Sequence, residues 1–279
     1  GDHQPSASSR SDHLIMVETV LDVVGNTLPS VMLGNVKLSC ERQLTWFDFD
    51  TEPNGESICI VGGAPSLNES VHQLMIRHQN GSKIWSVNGS YDWLLARGIV
   101  PDGHVMLDAR PENVRFVQNP KLETQFYVAS QCDPCVFNAL EGFKVDLVHV
   151  QTEGVYEYLE SERDRPVHLM GGFTTVGMLA MILAKLKGYR QIYLFGMDSS
   201  YSEGEHHVYK QESNDGENVI TATIHETKYK AAPWMCQQVR DFQNLAREFA
   251  QDDVVIEVCG PGLLHAMAKA MTFPLTQRI

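Results

Sequence analysis

The sequence predicts an α/β fold of the Rossmann-like kind, a mostly parallel sheet with helices on both faces. Three observations carry this reading. Short β-rich apolar runs recur along the chain, helical patterns lie between them, and the residues just after the runs are glycine or polar. Strands alternating with helices build parallel sheets buried on both sides.

In chain order, residues 1–12 are polar and Ser-rich and read as a disordered tail. Residues 13–54 read as an N-terminal extension. Within it, Leu14 to about Val24 suits a short amphipathic helix, and Trp46 to Asp50 form an aromatic-acidic patch, WFDFD. The segment TEPNGES at 51–57 reads as a linker into the main domain, 55–279.

Strands are expected at Ser57–Gly62, Lys83–Asn88, His104–Leu107, Gln125–Ala129, Val145–Val150, Gln191–Gly196 and Val254–Val258. Helices are expected over about 68–79, 89–97, 172–187, 225–250 and 262–271. No internal repeat is seen.

Composition bounds the function. The 279 residues suffice to bury a core without disulfides. The net charge of −13 disfavours a nucleic-acid partner, because phosphate backbones are repelled. A small nucleotide is not excluded, since backbone amides can hold its phosphates. The six cysteines are too few for a disulfide framework and imply a reducing, cytoplasmic compartment. The first residues do not read as a signal peptide. The longest apolar stretch, about 176–184, is far shorter than the roughly 20 residues of a membrane span.

In parallel α/β sheets, ligands bind beyond the carboxyl ends of the strands. Four constellations fall there or beside it. VGGAPSLNES at 61–70 has small residues after a strand, so Gly62, Gly63, Ala64 and Ser66 are candidates to cradle a phosphate at a helix start. Between 87 and 114, Asn88 ends one strand, and Asp108 ends the next with Arg110 two residues on. The amide would read a base or ribose, the carboxylate a ribose hydroxyl or a metal ion, and the guanidinium an anion. Between 170 and 209, Gly172, Thr174 and Thr175 open a long helix and would present amides to an anion. Asp198 follows the next strand, and His206 or His207 would act as general base or acid. Cys132 and Cys135 form a lone CxxC with no second half of a zinc site. The neighbouring Ser130 and Gln131 are the better ligand candidates.

The order GGAPSL, VNGSYDWLLARGIVPDGHVMLDARP and GGFTTVGMLAMILAKLKGYRQIYLFGMDSSY resembles the MptE-like family, over roughly 57–210 and more loosely to 270. The resemblance implies one of two activities. Archaeal members are Mg²⁺-dependent diphosphokinases acting on 6-hydroxymethyl-dihydropterin. Bacterial relatives include motility accessory factors that glycosylate flagellin. The blocks are also similar to sialyltransferases that use CMP-sialic acid through a GNGPSL loop and a strand-end Asn. By that likeness Gly62 to Ser66 and Asn88 would hold the nucleotide.

Two departures weigh between the branches. Gly63 stands where the sialyltransferase loop has Asn. Met-Leu-Asp-Ala-Arg stands where the pterin branch carries Asp-Leu-Asp-Gly, which leaves one carboxylate, Asp108, for Mg²⁺, with Asp198 able to supply a second ligand. The expectation is a nucleotide-dependent transferase, moving a glycosyl group from a CMP-nonulosonate-type donor to a small-molecule or glycan acceptor. The rivals are Mg²⁺-dependent diphosphate transfer from ATP and a non-catalytic nucleotide-binding scaffold. The oligomeric state stays open.

Overall fold

A computed structural model gives the fold of the chain and describes residues 25–49, 51–162, 167–202 and 218–272. The expected helix at 14–24 and the expected tail lie outside these residues.

The described chain begins with helix α1 (Pro29–Cys40) and a short strand β1 (Thr45–Trp46). It continues as β2 (Ser57–Val61), α2 (Ser66–Gln79), β3 (Lys83–Val87), α3 (Ser90–Leu95) and β4 (Gly103–Met106). A 3-10 turn (Pro111–Val117) leads to β5 (Gln125–Ala129), α4 (Pro134–Ala139), β6 (Lys144–Val148) and α5 (Val155–Glu162). Then come α6 (Val176–Leu186), β7 (Gln191–Phe195), the strands β8 (Ile220–Ile224) and β9 (Thr227–Ala231), α7 (Pro233–Ala250), β10 (Val255–Cys259) and α8 (Leu263–Thr272).

Eight strands form one sheet in the order β1-β6-β5-β4-β3-β2-β7-β10, and every pairing is parallel. This is the expected α/β architecture. Side chains alternate across the strands, so each central strand buries both faces. Ile58 and Ile60 of β2 point into a core with α6, α7 and α8. Cys59 and Val61 point into the opposite core beneath α2 and α3. A further cluster joins β5 and β6 to α1, α4 and α5. Burying a leucine or isoleucine side chain in these cores contributes about 1.5–3 kcal/mol.

Helices α1, α4 and α5 were not expected, and three other regions also differ from the sequence reading. The aromatic patch is part of the sheet: β1 pairs with β6, and Phe47 N donates to Leu147 O at 2.8 Å. Trp46 packs edge-on against His149, with ring centroids 4.2 Å apart, and Phe47 against Tyr127 at 5.7 Å. Only two residues pair, too few to leave a period-two signal. The helix expected over 225–250 starts at Pro233, whose fixed φ and missing N–H suit the first helical position. The residues before it form the antiparallel β8–β9 hairpin, turned at His225 (φ 51°). The helix expected from 172 starts at Val176, because Gly172 has φ 81° and Thr175 is extended.

Candidate functional site

The strand order places β3 to β6 on one side of β2 and β7 and β10 on the other. Connections leave in opposite directions from neighbouring strands β2 and β7, which opens a crevice at their carboxyl ends. The two loops that line it touch closely. Gly62 N donates to Phe195 O at 2.8 Å and Ala64 N to Gly196 O at 2.9 Å. A Cβ on Gly62 or on Gly196 would fall inside 3.0 Å of the other's carbonyl, and Gly196 has φ 62°. Glycine at both positions therefore serves this backbone-to-backbone contact first.

Helix α2 starts here, and its amides were expected to face a phosphate. Instead Asp198 occupies the position. Its Oδ2 accepts from Ser66 N at 3.0 Å and its Oδ1 from Ser66 Oγ. Leu67 N and Asn68 N bond to Ala64 O and Pro65 O. A protein carboxylate stands where a ligand anion was expected, and it complements the helix dipole in the same way. Asp198 is 5% exposed, and burial pushes its pKa up to about 6 against the lowering effect of the Ser66 hydrogen bonds. The same loop caps α8: Asp198 O accepts from Leu264 N at 3.0 Å and Ser200 Oγ from Leu263 N at 3.3 Å.

Beyond β3, Asn88 adopts φ 50°, in the left-handed region that Asn tolerates. Among the described residues its carboxamide makes no hydrogen bond, nor does the Gly63 N–H beside it in the sheet order. Beyond β4, Asp108 and Arg110 form a built pair. Arg110 Nε lies 3.1 and 3.0 Å from the two carboxylate oxygens, Nη2 lies 2.6 Å from Oδ2, and Arg110 N donates to Oδ1 at 2.9 Å. The side chains are 21% and 30% exposed, so the guanidinium is held in place yet open to solvent. Asn26 Nδ2 also donates to Asp108 Oδ2, at 3.1 Å.

The structure does not bring Asp108 and Asp198 together. They follow β4 and β7, with β3 and β2 between, a separation of about 14 Å at the usual strand spacing. Both carboxylates also have protein donors. Among the described residues no group of three His, Cys, Asp or Glu side chains is arranged to hold a metal ion. The residues present do not fit the two-carboxylate Mg²⁺ site.

Ser130 and Gln131 end β5 beneath α1. Ser130 is fully buried, its Oγ lies 3.0 Å from His149 Nδ1, and its carbonyl accepts from Ser39 Oγ at 2.9 Å. Asn35 Nδ2 donates to Gln131 O at 3.0 Å, Gln131 Nε2 to Leu107 O at 3.0 Å, and Thr152 Oγ1 to Gln131 Oε1 at 3.1 Å. These polar groups dock α1 and neighbouring loops onto the sheet. The CxxC segment is a helix start: Asp133 caps α4 by accepting from Cys135 N at 2.9 Å, with Pro134 next. Cys132 is buried, and Cys135 Sγ donates to Pro111 O at 3.3 Å.

Gly172, Thr174 and Thr175 lie in the turn before α6, a helix that packs on β2, β3 and β4. A helix connecting parallel strands runs antiparallel to them, so α6 begins at their carboxyl ends. Thr174 N and Oγ1 donate to Asp241 Oδ2 on α7, at 2.8 and 2.7 Å. Thr175 is the N-cap, yet its side chain makes no capping hydrogen bond. The first-turn amides of α6 therefore lack the side-chain cap that such positions usually have. Asp241 escaped the sequence reading because it lies mid-helix, 67 residues from its partner. His206 and His207 lie outside the described residues.

The family model described as 6-hydroxymethylpterin diphosphokinase MptE-like matches residues 35–204. The chain belongs to this family. The matched span holds the loops after β2, β3, β4, β5 and β7 and the turn before α6. The hairpin, α7, β10 and α8 lie beyond it. Among solved structures, the chain is similar to the MAf glycosyltransferase from Magnetospirillum magneticum AMB-1, with TM-score 0.60 and 18% identity. The likeness covers 91% of this chain and 42% of that one, and at this identity it shows a shared fold. No curated protein sequence matches. Among the described residues no helix is long and apolar enough to cross a membrane.

Proposed function

We propose that this MptE-like chain is a nucleotide-dependent transferase, moving a glycosyl group from a CMP-nonulosonate-type donor. The observation that carries the reading is the contrast between two helix starts. The start of α2 is filled by Asp198, whereas the start of α6 has no side-chain cap. Of these two, the start of α6 is the one left open to an anion, and a donor with a phosphodiester would place its phosphate there.

In this reading the donor phosphate lies at Gly172 to Thr175, and the nucleoside lies against Gly63 and Asn88, whose hydrogen-bonding groups are unspent. Arg110, oriented by Asp108, attracts an anionic group on donor or acceptor. The acceptor hydroxyl attacks the anomeric carbon as the bond to the phosphate oxygen breaks, and the nucleoside monophosphate leaves. His206 or His207 would take the hydroxyl proton, and the site contributes chiefly positioning and charge stabilisation.

The family description favours a second reading, diphosphate transfer from ATP to a pterin-like alcohol. The separation of Asp108 from Asp198 weighs against the metal site it needs, and no step is assigned to it. A thermal-shift comparison of CMP and ATP, each with and without Mg²⁺, separates the readings. CMP at about 100 times its Kd is expected to stabilise the fold by about 2.7 kcal/mol without metal. Stabilisation by ATP only in the presence of Mg²⁺ would favour diphosphate transfer. No response to either nucleotide would leave a scaffold.

A further inference from the structure

We infer that Asp241 is a positioning residue for the donor phosphate, acting through the turn that opens α6. This rests on the donor reading above.

Asp241 sits on α7 with 6% of its surface exposed. A carboxylate so buried is retained only when it is well paired. Here its Oδ2 accepts from both Thr174 N and Thr174 Oγ1, and its Oδ1 accepts from Gln237 Nε2 at 2.9 Å. Two of these three bonds reach Thr174 in the turn before α6. Gly171 and Gly172 precede it, and Gly172 is in a left-handed conformation that glycine adopts without strain. On the upstream side, Met170 is tied by its bridge to Val150 and by Gln151 N donating to Met170 O at 2.8 Å. On the downstream side, the Thr175 side chain makes no capping bond. Asp241 is therefore the clamp between the glycine pair and the first turn of α6.

The clamp has a specific consequence. Thr174 spends its N–H and its hydroxyl on Asp241 and is unavailable to a ligand. The amides next in line, at Thr175, Val176 and Gly177, are presented at a fixed position. Gly177 is packed within van der Waals reach of Met197 in the loop after β7, where a Cβ would meet Met197 Cε at 3.1 Å. The turn that Asp241 holds thus borders the crevice between β2 and β7. Its negative charge is taken up by three donors, so it orients the turn with little net repulsion of an incoming phosphate.

The test compares Asp241→Ala, Asp241→Asn and, as a control on the other carboxylate oxygen, Gln237→Leu, each confirmed folded by circular dichroism. Two readouts are taken. One is the Kd for CMP by titration calorimetry. The other is hydrogen exchange at residues 172–178 without ligand. Asp241→Ala is expected to weaken CMP binding at least about 10-fold, the loss of one to two well-made hydrogen bonds, and to speed exchange at 172–178. Asp241→Asn keeps an acceptor for Thr174 and is expected to restore most of both. Gln237→Leu is expected to leave the Kd near that of the wild type. Unchanged exchange at 172–178 in Asp241→Ala would overturn the clamp whatever the ligand. CMP binding equal in wild type and Asp241→Ala would overturn the positioning role while leaving the donor reading intact. A wild type that binds no CMP would overturn the donor reading and this role with it.

Discussion

The Asp198 carboxyl carries a cost that a surface carboxylate does not. It is nearly buried, and among the described residues its carboxylate accepts from the amide and the hydroxyl of Ser66. Its folded pKa, about 6, lies above the ordinary 3.8. A raised carboxyl pKa means that the folded state binds the proton more tightly than the unfolded chain. The stability from this group is fully present below pH 3.8 and is lost as pH rises through 6, by about 3 kcal/mol in all. Asp198→Asn keeps an acceptor for Ser66 N and removes the titration. Denaturant unfolding at pH 4 and pH 8 should therefore show a smaller difference for Asp198→Asn than for the wild type. Equal differences would mean that Asp198 is not buried as described. Ser66 and Asp198 both stood out in the sequence as residues following strands. Their mutual bond did not, because it joins positions 132 residues apart.

At the scale of elements, the strands were legible because apolar runs bounded by Gly or polar residues leave few alternatives, and β5 has the expected bounds. Helix starts were less legible. Small residues such as GGFTT look like a first turn, yet Gly172 in a left-handed conformation delays α6 to Val176. In the β8–β9 hairpin, β8 was assigned to no element and β9 was read as the start of the helix expected over 225–250, because the hairpin's alternating Ile or Ala and Thr or Lys spans only five residues a strand. Ser130 and Gln131 were legible as strand-end residues, but their bonds to α1 and the neighbouring loops were not, since these depend on the tertiary position of α1. The loop-to-loop contact at the crevice makes its own prediction. Gly196→Ala adds a Cβ against the Gly62 carbonyl at a positive φ, and is expected to destabilise the protein by at least about 2 kcal/mol. Urea unfolding measures this, and a loss under about 0.5 kcal/mol, the range of an ordinary surface change, would contradict the packing.

At the scale of the whole molecule, one strand order explains where a ligand would go. β2 and β7 are neighbours whose connections diverge, and every candidate from Gly63 to Arg110 lies along the carboxyl ends of β2, β3 and β4. The parallel order itself followed from alternating strands and helices, and the crevice from that order. Which helix start remains open to a phosphate did not follow, because it depends on a carboxylate arriving from a distant loop. The chain's charge of −13 sharpens the point: the proposed anionic donor would have to be held by local amides and Arg110 against an unfavourable overall field. The most direct measurement is hydrogen–deuterium exchange of the full chain with and without saturating CMP. Slowed exchange at residues 63–64, 88–90 and 172–178 is the result expected from a donor lying between the β3 end and the start of α6. Bound CMP with no slowing at 172–178, or with slowing confined to surfaces away from the carboxyl ends of the strands, would contradict it.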